Sequence, residues 1–192
     1  MKNPDILLAL EPVVKSFEKI GIDYYVGGSV ASSVYGIPRA TLDVDLVANI
    51  APNQVPELFQ TLKSTFYIDD NMILDAIRRK SSFNVIHLET MLKIDIFILK
   101  NTSYDRTAFQ RRQKDTLDEE NETLFYLASA EDIILNKLMW YRMGGKVSDR
   151  QWSDILGVFK VQHNLLDMEY LQYWAEELHL TDLLNEAFQD SQ

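Results

Sequence analysis

The chain has 192 residues, 46% of them hydrophobic, which suits one compact domain with a real core and excludes wholesale disorder. It has no cysteine, so disulfides, thiolate zinc sites and cysteine nucleophiles are excluded. The formal net charge is -10, and a groove for long duplex nucleic acid needs more phosphate-neutralising cations than this balance supplies.

Leu7, Leu8, Leu10, Val14, Phe17 and Ile20 recur at helical spacing and predict a first helix over residues 4–20, ending at Gly21. Its apolar run is bracketed by Asp5, Glu11 and Pro12, too short and too acidic for a signal peptide. No uncharged apolar stretch approaches the roughly 20 residues of a membrane helix, so a soluble cytoplasmic protein is expected. Residues 23–26 read as a strand running into Gly27-Gly28-Ser29, followed by a short helix over 30–35. Residues 42–47 alternate apolar and acidic side chains, a strand signature. A helix over 55–66 follows, then a weaker one over 71–79, and strands over 83–88 and 91–99 that can form a hairpin through Glu89-Thr90. Residues 103–112 read as helix and 123–127 as strand.

From Ser129 the pattern becomes wholly helical, over 131–143, 149–162, 168–177 and 181–188, with Gly144-Gly145 as the clearest break. Two parts are therefore expected: a mixed α and β core over 1–128 and a helical C-terminal segment over 129–192. Residues 163–192 carry seven acids and no Lys or Arg, a surface that can dock a basic partner or a second copy. Two basic clusters stand against this background, Arg78-Arg79-Lys80 and Arg106, Arg111, Arg112, Lys114. The second is compatible with a short contact such as an RNA end.

Asp43 and Asp45 are two apart on their strand, so both project from one face while Leu42, Val44 and Leu46 take the other. Two carboxylates about 4 Å apart repel by roughly 4 kcal/mol at an effective dielectric near 20, a clash that a hard divalent cation relieves. A single Asp-x-Asp is equally readable as the wet face of an edge strand. Asp95 lies in the apolar run Leu92-Lys93-Ile94-Asp95-Ile96-Phe97-Ile98, where it either joins the first two acids or pairs with Lys93 on its own face. Gly27-Gly28-Ser29 joins a strand to a helix start, where free N–H groups can meet a phosphate, although a plain tight turn reads the same. His87, His163 and His179 show no metal-ligand spacing.

In order, the stretch from Gly27-Gly28-Ser29 through Gly36, Arg39 and Thr41 to Asp43-Val44-Asp45-Leu46 closely resembles the signature of the DNA polymerase beta-type nucleotidyltransferase superfamily. There a Gly-Ser helix start precedes an Asp-x-Asp strand, and a third carboxylate comes from a later strand; Asp95 has the look of that acid. This version of the motif is similar to small bacterial members, including the abortive-infection AbiEii-like toxin nucleotidyltransferases, as are Glu131-Asp132 with Lys137 and Ser148-Asp149-Arg150 with Asp154.

The resemblance implies an α+β fold, a nucleotidyltransferase-type mixed sheet flanked by helices and followed by C-terminal helices. It implies two Mg2+ ions held by Asp43, Asp45 and Asp95, and a nucleoside triphosphate whose phosphates meet Gly28, Ser29 and Lys137. Arg39 joins that nucleotide-binding set, although with Thr41 it is expected mainly to order the loop before the metal strand. Asp149 and Asp154 either face the nucleotide or lie on a helix surface. The implied reaction moves a nucleoside monophosphate to a hydroxyl of a small molecule, an RNA end or a protein. The competing reading is a catalytically inactive nucleotide-binding or regulatory module, such as the toxin-like half of a toxin–antitoxin pair.

Overall fold

A computed structural model describes residues 4–117 and 123–192, and among them are seven strands and nine α-helices, the last four helices in succession. In order they are α1 (Pro4–Ile20), β1 (Asp23–Val26), α2 (Gly28–Tyr35), β2 (Asp43–Asn49), α3 (Val55–Leu62), β3 (Phe66–Tyr67), α4 (Asp70–Arg79), β4 (Ser82–His87) and β5 (Lys93–Ile98). Then come α5 (Ser103–Gln110), β6 (Gln113–Thr116), β7 (Leu124–Leu127), α6 (Ala130–Met143), α7 (Asp149–Gln162), α8 (Met168–Glu177) and α9 (Thr181–Asp190). The fold is α+β, with helices flanking a mixed sheet. Among the described residues no helix is long and apolar enough to cross a membrane.

The strands form one sheet in the order β3-β4-β5-β2-β1-β7-β6. The β2–β5 and β1–β7 pairs are parallel and the others antiparallel. Alternation along the strands gives the sheet two different faces. One carries Val44, Leu46, Val85, Ile94 and Ile96 and packs on Leu10 and Phe17 of α1, Leu58 and Leu62 of α3 and Ile73 of α4. Each such side chain contributes about 1.5–3 kcal/mol by leaving water. The opposite face is covered by the second core, in which Tyr25 and Ala31 meet Phe109 of α5, Leu138 of α6, Val158 of α7 and Trp174 of α8.

Local chemistry sets the element ends. Ser129 caps α6 by accepting from the Asp132 N–H at 3.2 Å, and Asp69 caps α4 through the Met72 N–H at 3.0 Å. The β4–β5 pair is the expected hairpin, closed by hydrogen bonds between His87 and Leu92 and between Met91 and His87. At the far end of α2, Gly36 presses its backbone on α7: a Cβ there would lie 2.8 Å from the Val158 nitrogen, and one on Gly157 would lie 3.1 Å from the Ile37 nitrogen. Neither glycine leaves room for a Cβ at this crossing.

Two helix ends differ from the sequence expectations, each followed by an edge strand the pattern did not predict. The third helix stops at Leu62 rather than near 66, because Phe66 and Tyr67 pair with His87 and Ile86 as the edge strand β3. The fifth helix ends at Gln110, and Gln113–Thr116 form the edge strand β6. Both strands are short, and β6 is polar on both sides, so neither carries a period-2 signal.

Candidate active site

The register of β2 on β5 sets Asp45 directly beside Asp95, and Asp43 beside Lys93. Neighbouring residues on parallel strands point to the same side. Asp43, Asp45 and Asp95 therefore share one face, while Val44, Leu46, Ile94 and Ile96 are buried in the core behind them. The sheet thus brings the three sequence-selected acids together.

Each acid meets a different partner. The Thr41 hydroxyl donates to Asp43 Oδ1 at 2.9 Å, ordering the strand entrance. Lys93 Nζ sits 2.6 Å from Asp95 Oδ2. Burial, together with the negative charges of Asp43 and Asp95, pushes the Asp45 carboxyl up to about 6, against smaller opposing effects of Lys137 and Lys93. Anionic charge is thus under-compensated at the centre of the cluster. Among the described residues, no three His, Asp or Glu side chains form a ready-made metal-ligand set. The chemistry of the donors nevertheless fits a hard divalent cation: oxygen-only ligands, a surplus of negative charge and a carboxyl whose ionisation is opposed only by its surroundings.

The glycine turn sits against the same acid. Gly27 N–H donates to the Asp45 carbonyl at 2.8 Å, tying the turn to β2. Gly28, at φ +54°, starts α2, and a Cβ on it would lie 1.8 Å from Asp45 Oδ2. Only glycine allows the turn to approach the carboxylate this closely.

A second acid organises the neighbouring cations. Asp154 on α7 is buried and accepts a fork from Arg39, Nε at 2.7 Å and Nη2 at 2.9 Å, and the Lys137 ammonium at 2.8 Å. Burial alone would push this carboxyl up; the Arg39 and Lys137 hydrogen bonds outweigh it and hold Asp154 below the ordinary carboxylate range. Arg39 Nη2 also donates to Ser29 Oγ at 2.5 Å, linking the glycine turn to this hub. Lys137, on α6, is buried rather than solvated. Asp149 is exposed in the first turn of α7, away from this network.

Sequence reasoning singled out Arg39, Lys137 and Asp154 but missed that they pair with one another. Asp154 has the spacing of an ordinary helical acid, and its partner Arg39 is 115 positions away, so no local signal points to the pairing. The basic cluster at 106–114 also proves partly internal. Arg111 pairs with Glu131 at 3.1 Å and stacks on the Tyr170 ring at 3.8 Å. Arg112 pairs with Asp23 at 2.9 Å and lies over the Phe109 ring. Among the histidines, His87 bonds Thr90 Oγ1 at 2.9 Å and packs on Phe66, while His163 and His179 are exposed.

No protein-family model matches the sequence, and a search of curated proteins found no match. Comparison with solved structures does find relatives in shape. The aminoglycoside adenylyltransferase ANT(2")-Ia in complex with adenylyl-2"-tobramycin superposes with a TM-score of 0.62 at 12% identity, over 92% of this chain and 99% of that one. An antigenic nucleotidyltransferase-like protein from Paracoccidioides brasiliensis gives 0.56 at 18% identity, over 96% and 93%. Lincosamide antibiotic adenylyltransferase LnuA, lincomycin-bound, gives 0.50 at 13% identity, over 79% and 95%. The mixed sheet flanked by helices thus matches nucleotidyltransferase-like folds.

Proposed function

We propose that the protein is a metal-dependent nucleotidyltransferase that moves a nucleoside monophosphate from a nucleoside triphosphate to a hydroxyl acceptor. The observation that carries this reading is the lateral pairing of Asp45 with Asp95, with Asp43 on the same face and Gly28 closed on Asp45. Asp43, Asp45 and Asp95 would hold two Mg2+ ions, which when bound neutralise triphosphate charge and acidify the acceptor hydroxyl. In the reaction the acceptor oxygen bonds the α-phosphorus, the bond from that phosphorus to the β-phosphate bridging oxygen breaks, and pyrophosphate leaves.

The chain's own groups divide the remaining work. Asp95, the acid contributed by the second strand, takes the acceptor proton. The turn at Gly27, Gly28 and Ser29 receives the phosphates at a helix N-terminus. Arg39 and Lys137, oriented by Asp154, add positive charge beside it. The likeness of the sequence motif to the small AbiEii-like enzymes supports a reading in which the exposed acids of α8 and α9 would receive a basic partner, an antitoxin or a second copy.

The test is transfer of label from each α-labelled triphosphate into fractions of a cell extract, alongside thermal shifts with triphosphate and Mg2+. Wild type should transfer label and gain stability from the pair of ligands. Asp95→Ala should abolish transfer, and Asp43→Ala with Asp45→Ala should abolish the shift. Absence of both signals with all four triphosphates would leave the inactive binding module as the better reading. Equal labelling by Asp95→Ala would remove that acid from the reaction.

A further inference from the structure

We propose that Lys93 is a built-in counter-ion for the acid cluster, holding Asp95 in the ligand-free protein and giving it up to a divalent cation, so that this lysine sets the metal affinity of the site. The inference rests on the nucleotidyl-transfer reading above and adds a residue that reading does not use.

Lys93 and Asp95 are two apart on β5 and so share a face; their charged atoms are 2.6 Å apart. Across the β2–β5 pair Lys93 stands opposite Asp43, and both Asp43 and Asp45 act on its charge. Lys93 therefore acts on all three carboxylates, while the buried Lys137 also acts on Asp45. Its position is also the accessible one: the Lys93 side chain is 44% exposed, against 22% for Asp95.

The nearby hub shows what a permanent pairing looks like. There Asp154 is only 4% exposed and takes two hydrogen bonds from a planar guanidinium and a third from a buried lysine. Such a fork is rigid and shielded. Lys93 instead offers Asp95 a single point charge on a flexible stem whose tip reaches water. A half-exposed pair of this kind is worth at most about 1 kcal/mol, small enough for a divalent ion to displace. Lys93 thus relieves repulsion while the site is empty without locking it.

The experiment is titration of Mn2+ alone into nucleotide-free wild type, Lys93→Met, Lys93→Arg and Asp43→Asn, followed calorimetrically, with Tm measured before metal is added. Lys93→Met should bind Mn2+ roughly fivefold more tightly, the factor that release of about 1 kcal/mol of competition provides. Its metal-free Tm should fall, because the acids lose their counter-ion. Lys93→Arg should bind no more tightly than wild type, and Asp43→Asn more weakly. Equal or weaker binding by Lys93→Met while wild type binds would overturn the inference and leave the enzyme reading standing. Mn2+ uptake by none of the four proteins would overturn both. Lys93→Gln repeats the measurement should the methionine variant misfold.

Discussion

A cluster of three acids and a single acid, Asp154, lie close together in this fold and live under opposite electrostatic conditions. Asp154 is surrounded by cations the chain itself supplies, and its carboxyl is held below the ordinary range. Asp45 is buried beside other acids, and burial first, then their negative charge, pushes its carboxyl up to about 6. The first arrangement is complete and serves the architecture: it ties α7 to α6, to the loop before β2 and, through Ser29, to the glycine turn. The second is incomplete. On the proposed function, this under-compensated cluster is where a cation that the chain does not itself supply would sit.

The sharpest way to break this contrast is to remove the hub. Asp154→Ala leaves the buried Lys137 ammonium and the Arg39 guanidinium without their acceptor, and should cost about 3–5 kcal/mol in a denaturant titration. A loss below about 1 kcal/mol would mean the pairing is decorative.

The next largest effect belongs to Asp45 and has a definite sign. Its folded pKa of about 6 lies above the ordinary 3.8. Between those values the folded chain keeps a proton that the unfolded chain has released, so stability declines as pH rises through that window. A displacement of about two units corresponds to roughly 3 kcal/mol. Asp45→Asn should flatten that decline and, at pH 7.5 without metal, be more stable than wild type while losing transfer activity. Parallel stability–pH curves for the two proteins would show that Asp45 is not strained.

The smallest of the three effects is at the turn. Gly28→Ala puts a methyl group where Asp45 Oδ2 now lies, at a backbone angle that favours glycine. It should cost about 1–3 kcal/mol and displace the carboxylate, so that metal affinity falls with Tm. An alanine variant with unchanged Mn2+ binding would separate the turn from the acid cluster.

Much of the incomplete cluster was legible in the sequence, and little of the complete one was. Asp43 and Asp45 share a strand face by spacing alone, and the apolar residues around Asp95 make its carboxylate conspicuous. Lys93 could be read as a partner of Asp95 for the same reason: residues two apart on a strand are neighbours. The Arg39–Asp154–Lys137 hub joins a loop to two helices, and no periodicity encodes which distant helix packs there. The edge strands β3 and β6 escaped for another reason, since two residues, or four polar ones, are held by pairing with a neighbour rather than by their own pattern. The large elements were readable because their apolar periods are long; their boundaries moved where tertiary pairing competed with helix continuation.

The close approach of Gly36 to α7 has a practical consequence. With backbone resting on backbone at that crossing, α2 and α7 have no compressible layer between them. A tilt of α2 would therefore bear directly on α7, which carries Trp152, its ring centred 4.9 Å from that of Tyr141 and its indole N–H donating to Asp190 at 3.2 Å. Trp152 is a natural fluorophore at which such a movement could be sought with no attached dye.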